Sequence, residues 1–236
     1  EIDQVQVRVA EEQSADSEIG HIAEAVGYLA VHPIDYPPNP VFETGEALAN
    51  HTWQPVTFTN TYTDPIVLAG PLTSNGGAPS VVRIRNVTAT GLEIRVQEDD
   101  YLDGWHHAET IGYMVMEAGD FTLPDGTRVS AGRFGTSVCN SFAAVSFDQP
   151  FTQTPVVLTS VGTSNDPSAV VSRVRAVGLD GFEHGLKEEE ASDQSHDEET
   201  VHYIAWEPYV GELGGHLIEV GRTDSVVTHN LSTIGF

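Results

Sequence analysis

Apolar and polar residues alternate along much of this chain in short runs, with the two-residue period of a strand that buries one face. Val5-Gln6-Val7-Arg8-Val9 is the first such run, and Val26 to Val31 is the next. Pro33, Pro37, Pro38 and Pro40 then make a stiff connector that cannot sit inside a sheet. Beyond it, strands are predicted at Trp53–Asn60, Ile66–Ala69, Ser80–Val87, Leu92–Gln97 and Thr110–Met116, with Thr88-Ala89-Thr90-Gly91 as a hairpin turn. No segment sustains a 3.6-residue apolar stripe; Ala10 to Ala25 comes nearest and lacks one. Short strands separated by Gly, Pro, Asn and Thr turns indicate an all-β fold of antiparallel sandwiches.

The pattern then repeats. Thr73-Ser74-Asn75 matches Thr163-Ser164-Asn165, Arg83 and Arg85 match Arg173 and Arg175, and Glu98, His106 and Glu109 match Glu188, His196 and Glu199. The spacing His-x-x-Glu-x-(Val/Ile)-x-Tyr occurs three times, beginning at His21, His106 and His196. Ser225 to Phe236 parallels Ser137 to Phe147. The expected organisation is therefore the C-terminal part of a repeat at 1–33, complete repeats of about 90 residues at 34–118 and 119–208, and the N-terminal part of another at 209–236. Joined, the two partial ends would lack about 30 residues of a unit. This reading predicts a portion of a longer tandem array, whose cut ends expose strand edges for a partner chain to complete.

Charge narrows the partners. Asp and Glu number 35 against 10 Lys and Arg, a formal charge of −25, and Lys187 is the one lysine. Such a surface repels nucleic acid and anionic lipid, which leaves cations, neutral sugars and basic proteins. It also suits salt water, where counterions screen the self-repulsion. Disorder is argued against by the 39% hydrophobic content, set in alternating runs. Cys139 is the single cysteine, so neither an intrachain disulfide nor a thiolate zinc site can form. No apolar run approaches the roughly 20 residues of a membrane span, so membrane insertion is not expected.

Candidate chemistry gathers in the acidic loops. Glu188, Glu189, Asp193 and Glu199 are hard oxygen ligands that could cluster on calcium, although EF-hand spacing is absent. His196 with Glu199 offers one imidazole and one carboxylate, too few for a dedicated zinc site. The plain alternative is a solvated loop in which His and Glu pair across a tight turn. In the first complete unit, Tyr101 and Trp105 stand among Asp99 and His106, a grouping that suits a sugar: its apolar face stacks while its hydroxyls bond to acids. The second unit has Ala191 and Ser195 at those aromatic positions. Alternation sends Val82 and Ile84 inward and puts Arg83 and Arg85 together on the outer face, paired with acids across the hairpin or donating to a ligand. Tyr28, Tyr113 and Tyr203 read as core. The three loop histidines would charge near pH 6. Nucleophile elbow, phosphate loop and dinucleotide fingerprint are absent. Tandem copies of a modest unit favour avidity or scaffolding over catalysis.

Phe147-Asp148-Gln149-Pro150-Phe151 with Pro155-Val156-Val157, the Gly181-Phe182-Glu183 hairpin and the closing strand Val201-His202-Tyr203-Ile204-Ala205-Trp206 carry a resemblance to the H-type lectin domain. The resemblance implies a six-stranded antiparallel sandwich that associates in threes and binds N-acetylgalactosamine-type sugars between protomers. Tyr203 departs from the tryptophan common in the family, and the long acidic loop is unusual. The expectation is a non-enzymatic, extracellular or cell-surface module that binds glycans and self-associates as a trimer or fibre. Its ligand residues would be Trp105, Tyr101, Asp99, His106, Asp193 and His196, with calcium the one cofactor the pattern admits. The alternative is a structural subunit of a surface fibre or matrix, assembled by completing partial sandwiches between chains.

Overall fold

The computed structural model describes residues 4–9, 11, 13–33 and 42–235. Apart from Pro33 the proline-rich connector lies outside them, as does Glu12 of the first acidic loop. Strands alone make up the regular structure of the described residues. In chain order they are β1 (Gln4–Val7), β2 (Gly27–Pro33), β3 (Phe42–Ala49), β4 (Gln54–Thr57), β5 (Pro65–Leu72), β6 (Ser80–Thr88), β7 (Gly91–Glu98), β8 (Glu109–Glu117) and β9 (Gly119–Thr122). They continue with β10 (Arg128–Thr136), β11 (Ala143–Ser146), β12 (Val156–Val161), β13 (Val171–Arg175), β14 (Gly181–Lys187), β15 (Glu199–Trp206), β16 (Tyr209–Leu213), β17 (His216–Arg222) and β18 (Ser232–Gly235).

Sheets β3-β8-β5 and β4-β7-β6 face one another as a six-stranded antiparallel sandwich. Sheets β12-β15-β10-β9 and β11-β14-β13 repeat that arrangement. The chain ends build a third unit by pairing with each other: β2 runs antiparallel to β17, and β1 to β18. These pairs reproduce β8 with β3 and β7 with β4. The bridge Glu24–Val227 repeats the pairing of Glu109 with Ala49 and of Glu199 with Thr136. Among the described residues, no strand in the third unit stands where β5 and β6 stand in the first.

The central strand of each unit faces two ways. In β8, Ile111 and Val115 fill the first sandwich, while Met114 and Met116 point into a second apolar cluster. In β15, Tyr203 and Ala205 point into the second sandwich, and Ile204 and Trp206 into that same shared cluster. Ile218 and Val220 of β17 reach it from the third unit, with Leu29 and Val31 of β2 packed against it. The three units thus close around one common core. A strand buried on both faces reads as a near-continuous apolar run, which is why 201–206 lacks alternation.

The sequence pattern leaves 42–49, 119–136 and 209–222 without assigned strands, and each contains β structure. Glycines weaken the pattern there, and the structure gives a reason for three of them. Gly45 lies opposite Tyr113, Gly132 opposite Tyr203 and Gly221 opposite Tyr28. A Cβ at any of these would stand 2.4–2.7 Å from the tyrosine hydroxyl. The glycines are seats for cross-strand rings rather than turn signals. Tyr203 is buried, whereas Tyr28 and Tyr113 are half-buried.

Candidate functional site

Glu109 opens β8, so its carboxylate projects into the turn that joins β5 to β6. Thr73 Oγ1 donates to it at 2.5 Å, Asn75 N at 2.9 Å and Gly76 N at 2.6 Å. His106 Nε2 lies 3.2 Å from Glu109, and its Nδ1 lies 3.1 Å from Glu98. The second unit rebuilds the cage around Glu199. Thr163 Oγ1 donates to that carboxylate, Asn165 N follows at 3.0 Å and Asp166 N at 3.3 Å. His196 sits between Glu188 at 2.6 Å and Glu199 at 3.3 Å. The expected His–Glu pairing is present, but the groups are buried rather than solvated: Glu109 and Glu199 are both 0% exposed.

Electrostatics follow from the cage. Burial pushes the Glu199 carboxyl upward, yet the donors from His196, Thr163, Asn165 and Asp166 together hold it below the usual carboxylate value. Burial likewise disfavours charge on His196, but hydrogen bonds to Glu199 and Glu188 and the charge of Asp166 raise it above the ordinary imidazole value. Glu109 is lowered for the same reasons as Glu199, through Asn75, Thr73, Gly76 and His106 acting against burial.

The two sites differ in composition: Asp166 lies beside His196 where the first unit has Gly76, and an arginine enters the second. Arg83 on β6 of the first unit crosses into the second and is fully buried there, with Nη2 3.1 Å from Glu199. It also donates to the carbonyls of Ser168 and Asp166. The expectation of a solvent-facing arginine pair is therefore corrected: Arg85 stays at the surface and pairs with Glu93 at 2.7 Å, but the face carrying Arg83 is covered by the next unit. Gln97 Nε2 to Pro167 O at 2.7 Å and Tyr101 N to Glu189 at 3.2 Å seal the same junction. Among the described residues no arginine reaches Glu109. The corresponding space is an open cleft of about 500 Å³, lined by Gly76, Ala78, Glu98, Tyr101, Asp103, Trp105 and His106 among others.

The sequence-derived site residues separate accordingly. Tyr101, Trp105 and His106 come together on this cleft, with Tyr101 40% and Trp105 53% exposed. The Trp105 ring stands edge-on to His107 at 4.6 Å. Asp99 is buried beside the cleft, and its amide donates to Pro79 O. His196 occupies the closed second site, while Asp193 caps its own exposed turn through Ser195 N at 2.9 Å. Of the four carboxylates considered for calcium, Glu188 and Glu199 meet at His196, but Glu189 faces the first unit and Asp193 the solvent. Among the described residues, the acid–imidazole group close enough to share a cation is Asp166, Glu188 and His196, whose ligand atoms lie within 4.8 Å of one another. Arg83 already supplies positive charge beside it.

Sequence reasoning placed Arg83 on an outer face rather than against Glu199, and it missed Thr73, Asn75, Thr163 and Asn165 as the donors that hold Glu109 and Glu199. Their signal was the matched Thr-Ser-Asn triplet, seen as a repeat but not as a carboxylate cage.

Fold and site together define an all-β module of three sandwich units around one apolar core, with buried carboxylate–histidine centres in two of them, one of which Arg83 seals at a unit junction. The chain is similar to halomucin of Haloquadratum walsbyi, with 36% identity over 181 residues. The match covers 71% of this chain and 2% of halomucin, so the chain spans a small fraction of that relative's length. No family model and no solved structure matches the chain. No helix among the described residues is long and apolar enough to cross a membrane.

Proposed function

We propose that this chain is an extracellular, non-enzymatic module of a longer surface or secreted protein, and that it binds carbohydrate at the cleft of the first unit. The observation that carries the reading is the open cleft itself, in which the exposed rings of Trp105 and Tyr101 stand beside Glu98, Asp103 and His106. An aromatic face next to fixed acceptors suits a pyranose, which stacks its C–H surface and donates its hydroxyls. Likeness to a segment of halomucin supports the surface assignment, and a charge of −25 fits a module bathed in salt. Glu98 and Glu109 both direct oxygens at His106, which favours positioning over acid–base turnover. Glycan-array binding at high salt tests the reading. Binding should be present in the wild type and lost in Trp105→Ala; an array without signal removes the sugar assignment.

A further inference from the structure

We propose that the outer face of the β6–β7 hairpin is an oxyanion site, in which Arg95 and Arg85 receive the sulfate ester or carboxylate of an acidic sugar. The sugar as carrier rests on the carbohydrate reading above; the oxyanion seat itself does not.

Arg95 is a charge the fold leaves unanswered. In a chain with 35 acids and 10 Lys and Arg, it forms no ion pair among the described residues. Its one protein bond runs from Nη2 to Gln97 Oε1 at 2.7 Å, and its Nε is buried with no acceptor. It lies directly across the hairpin from Arg83, and like charges so placed destabilise a sheet. Arg83 is neutralised by Glu199, but nothing comparable meets Arg95. Asp100 is the acid whose charge it feels, yet the Asp100 oxygens are turned toward Ala169 N at 3.3 and 3.4 Å. Burial, with the charges of Arg83 and Arg85, pushes Arg95 below the ordinary arginine value.

The surroundings hold two guanidinium groups ready for an anion. Arg85 and Arg95 both stack on the Trp53 ring, at 4.2 and 4.6 Å from its centroid. Stacking fixes each plane while leaving its N–H edge free to donate. Arg85 commits its Nε to Glu93, so its two terminal nitrogens and Nη1 of Arg95 carry no protein bond. Two such forks suit the paired oxygens of a sulfate or carboxylate better than they suit chloride.

The second unit shows which part of this is framework. There Arg175 stacks on Phe142 at 4.0 Å and pairs with Glu183 at 2.6 Å, as Arg85 does with Trp53 and Glu93. Gly185, however, faces Arg173 where Arg95 faces Arg83. The sandwich therefore forms without this arginine, and the first unit adds it. A charge of −25 repels long polyanions and acidic polypeptides, which favours a small ligand bearing a single acidic group.

The test is calorimetric titration of the full chain in about 1 M sodium chloride, where the Debye length is about 3 Å. The probes are galactose 6-sulfate, galacturonic acid, galactose and sodium sulfate. The two acidic sugars should bind about tenfold more tightly than galactose. Arg95→Gln and Arg95→Gly should remove that preference, and Arg95→Lys should restore little of it, because an ammonium keeps the charge without the fork. Arg173→Gln, the same change in net charge as Arg95→Gln, should leave the preference intact. Urea midpoints of the Arg95 variants should equal or exceed wild type, since a charge facing Arg83 is gone; a clear fall would make Arg95 a structural strut and overturn the proposal. No preference for the acidic sugars overturns it, as does a preference that survives Arg95→Gln or is lost equally in Arg173→Gln. Sodium sulfate bound as tightly as the sugar sulfate removes the sugar as carrier. Sulfate binding with a blank glycan array keeps this seat and removes the cleft reading; neutral sugars on the array without a preference in titration do the opposite.

Discussion

Arg83→Ala is the sharpest probe of how the units are joined. The guanidinium is 0% exposed and meets a carboxylate that is also 0% exposed, so neither charge can recover its lost hydration from solvent. Removing one partner of such a pair typically costs about 3–5 kcal/mol, most of it the penalty for the charge left behind. Glu199 retains donors from Thr163, Asn165, Asp166 and His196, which places the expected loss near the lower end, about 3 kcal/mol. With a urea dependence of about 3 kcal/mol per molar, the unfolding midpoint should fall by about 1 M. Arg85→Ala is the internal control. Its ion pair with Glu93 is shorter, 2.7 Å against 3.1 Å, but exposed and screened, and its loss should lie near experimental error. Arg83 Nε has no hydrogen-bond partner, so the pair is imperfect, and Arg83→Met combined with Glu199→Gln should recover much of the loss. If Arg83→Ala and Arg85→Ala unfold at the same urea concentration, burial does not decide the strength of this junction, and the reasoning fails.

Other consequences are open to the same kind of measurement. Gly132→Ala places a Cβ 2.7 Å from the Tyr203 hydroxyl inside a packed sheet and should cost about 1–3 kcal/mol by urea unfolding; Gly132→Ala with Tyr203→Ala should cost less than the sum of the single changes. Burial lowers His202 to about 4, and its Nδ1 accepts Val67 N–H across the unit junction at 3.0 Å, so the neutral ring is the stabilising form. Its contribution, about 3 kcal/mol, should be complete above an unfolded value near 6.5 and disappear as pH falls toward 4, and His202→Gln should flatten that limb of the stability–pH curve. His196 has the opposite sign, because its value is raised: its contribution is full below the unfolded value and fades as pH climbs through the folded one. Glu207 is buried, yet donors from Thr152, Arg128 and Gln153 keep it below the carboxylate norm; Glu207→Gln should lower the melting temperature at pH 7 and lose that effect as pH falls through the folded value of the carboxyl.

Much of this architecture is legible in the residues. A two-residue period in 91–98 and 80–88 dictates sheets, because only an extended backbone sends alternate side chains to one face. The interval shared by His106 and His196, Glu109 and Glu199, and the Thr-Ser-Asn triplets identifies one unit used more than once. The pairing of His with Glu was visible in the same spacing. Strands such as Phe42–Ala49 were not, because Gly45 there is chosen to fit the Tyr113 ring on a neighbouring strand, and that demand leaves no local trace.

What the sequence alone determined is local and periodic: strand, turn, repeat and the donor types of each centre. Only the tertiary structure decided that the two chain ends pair with each other, that three units share a core, and that Arg83 leaves its own unit to neutralise Glu199. The physical reason is that alternation sorts side chains into two faces of a sheet without saying what covers either face. Whether an outward arginine meets water or a buried carboxylate depends on which unit packs against it, a matter settled by contacts between residues more than a hundred positions apart.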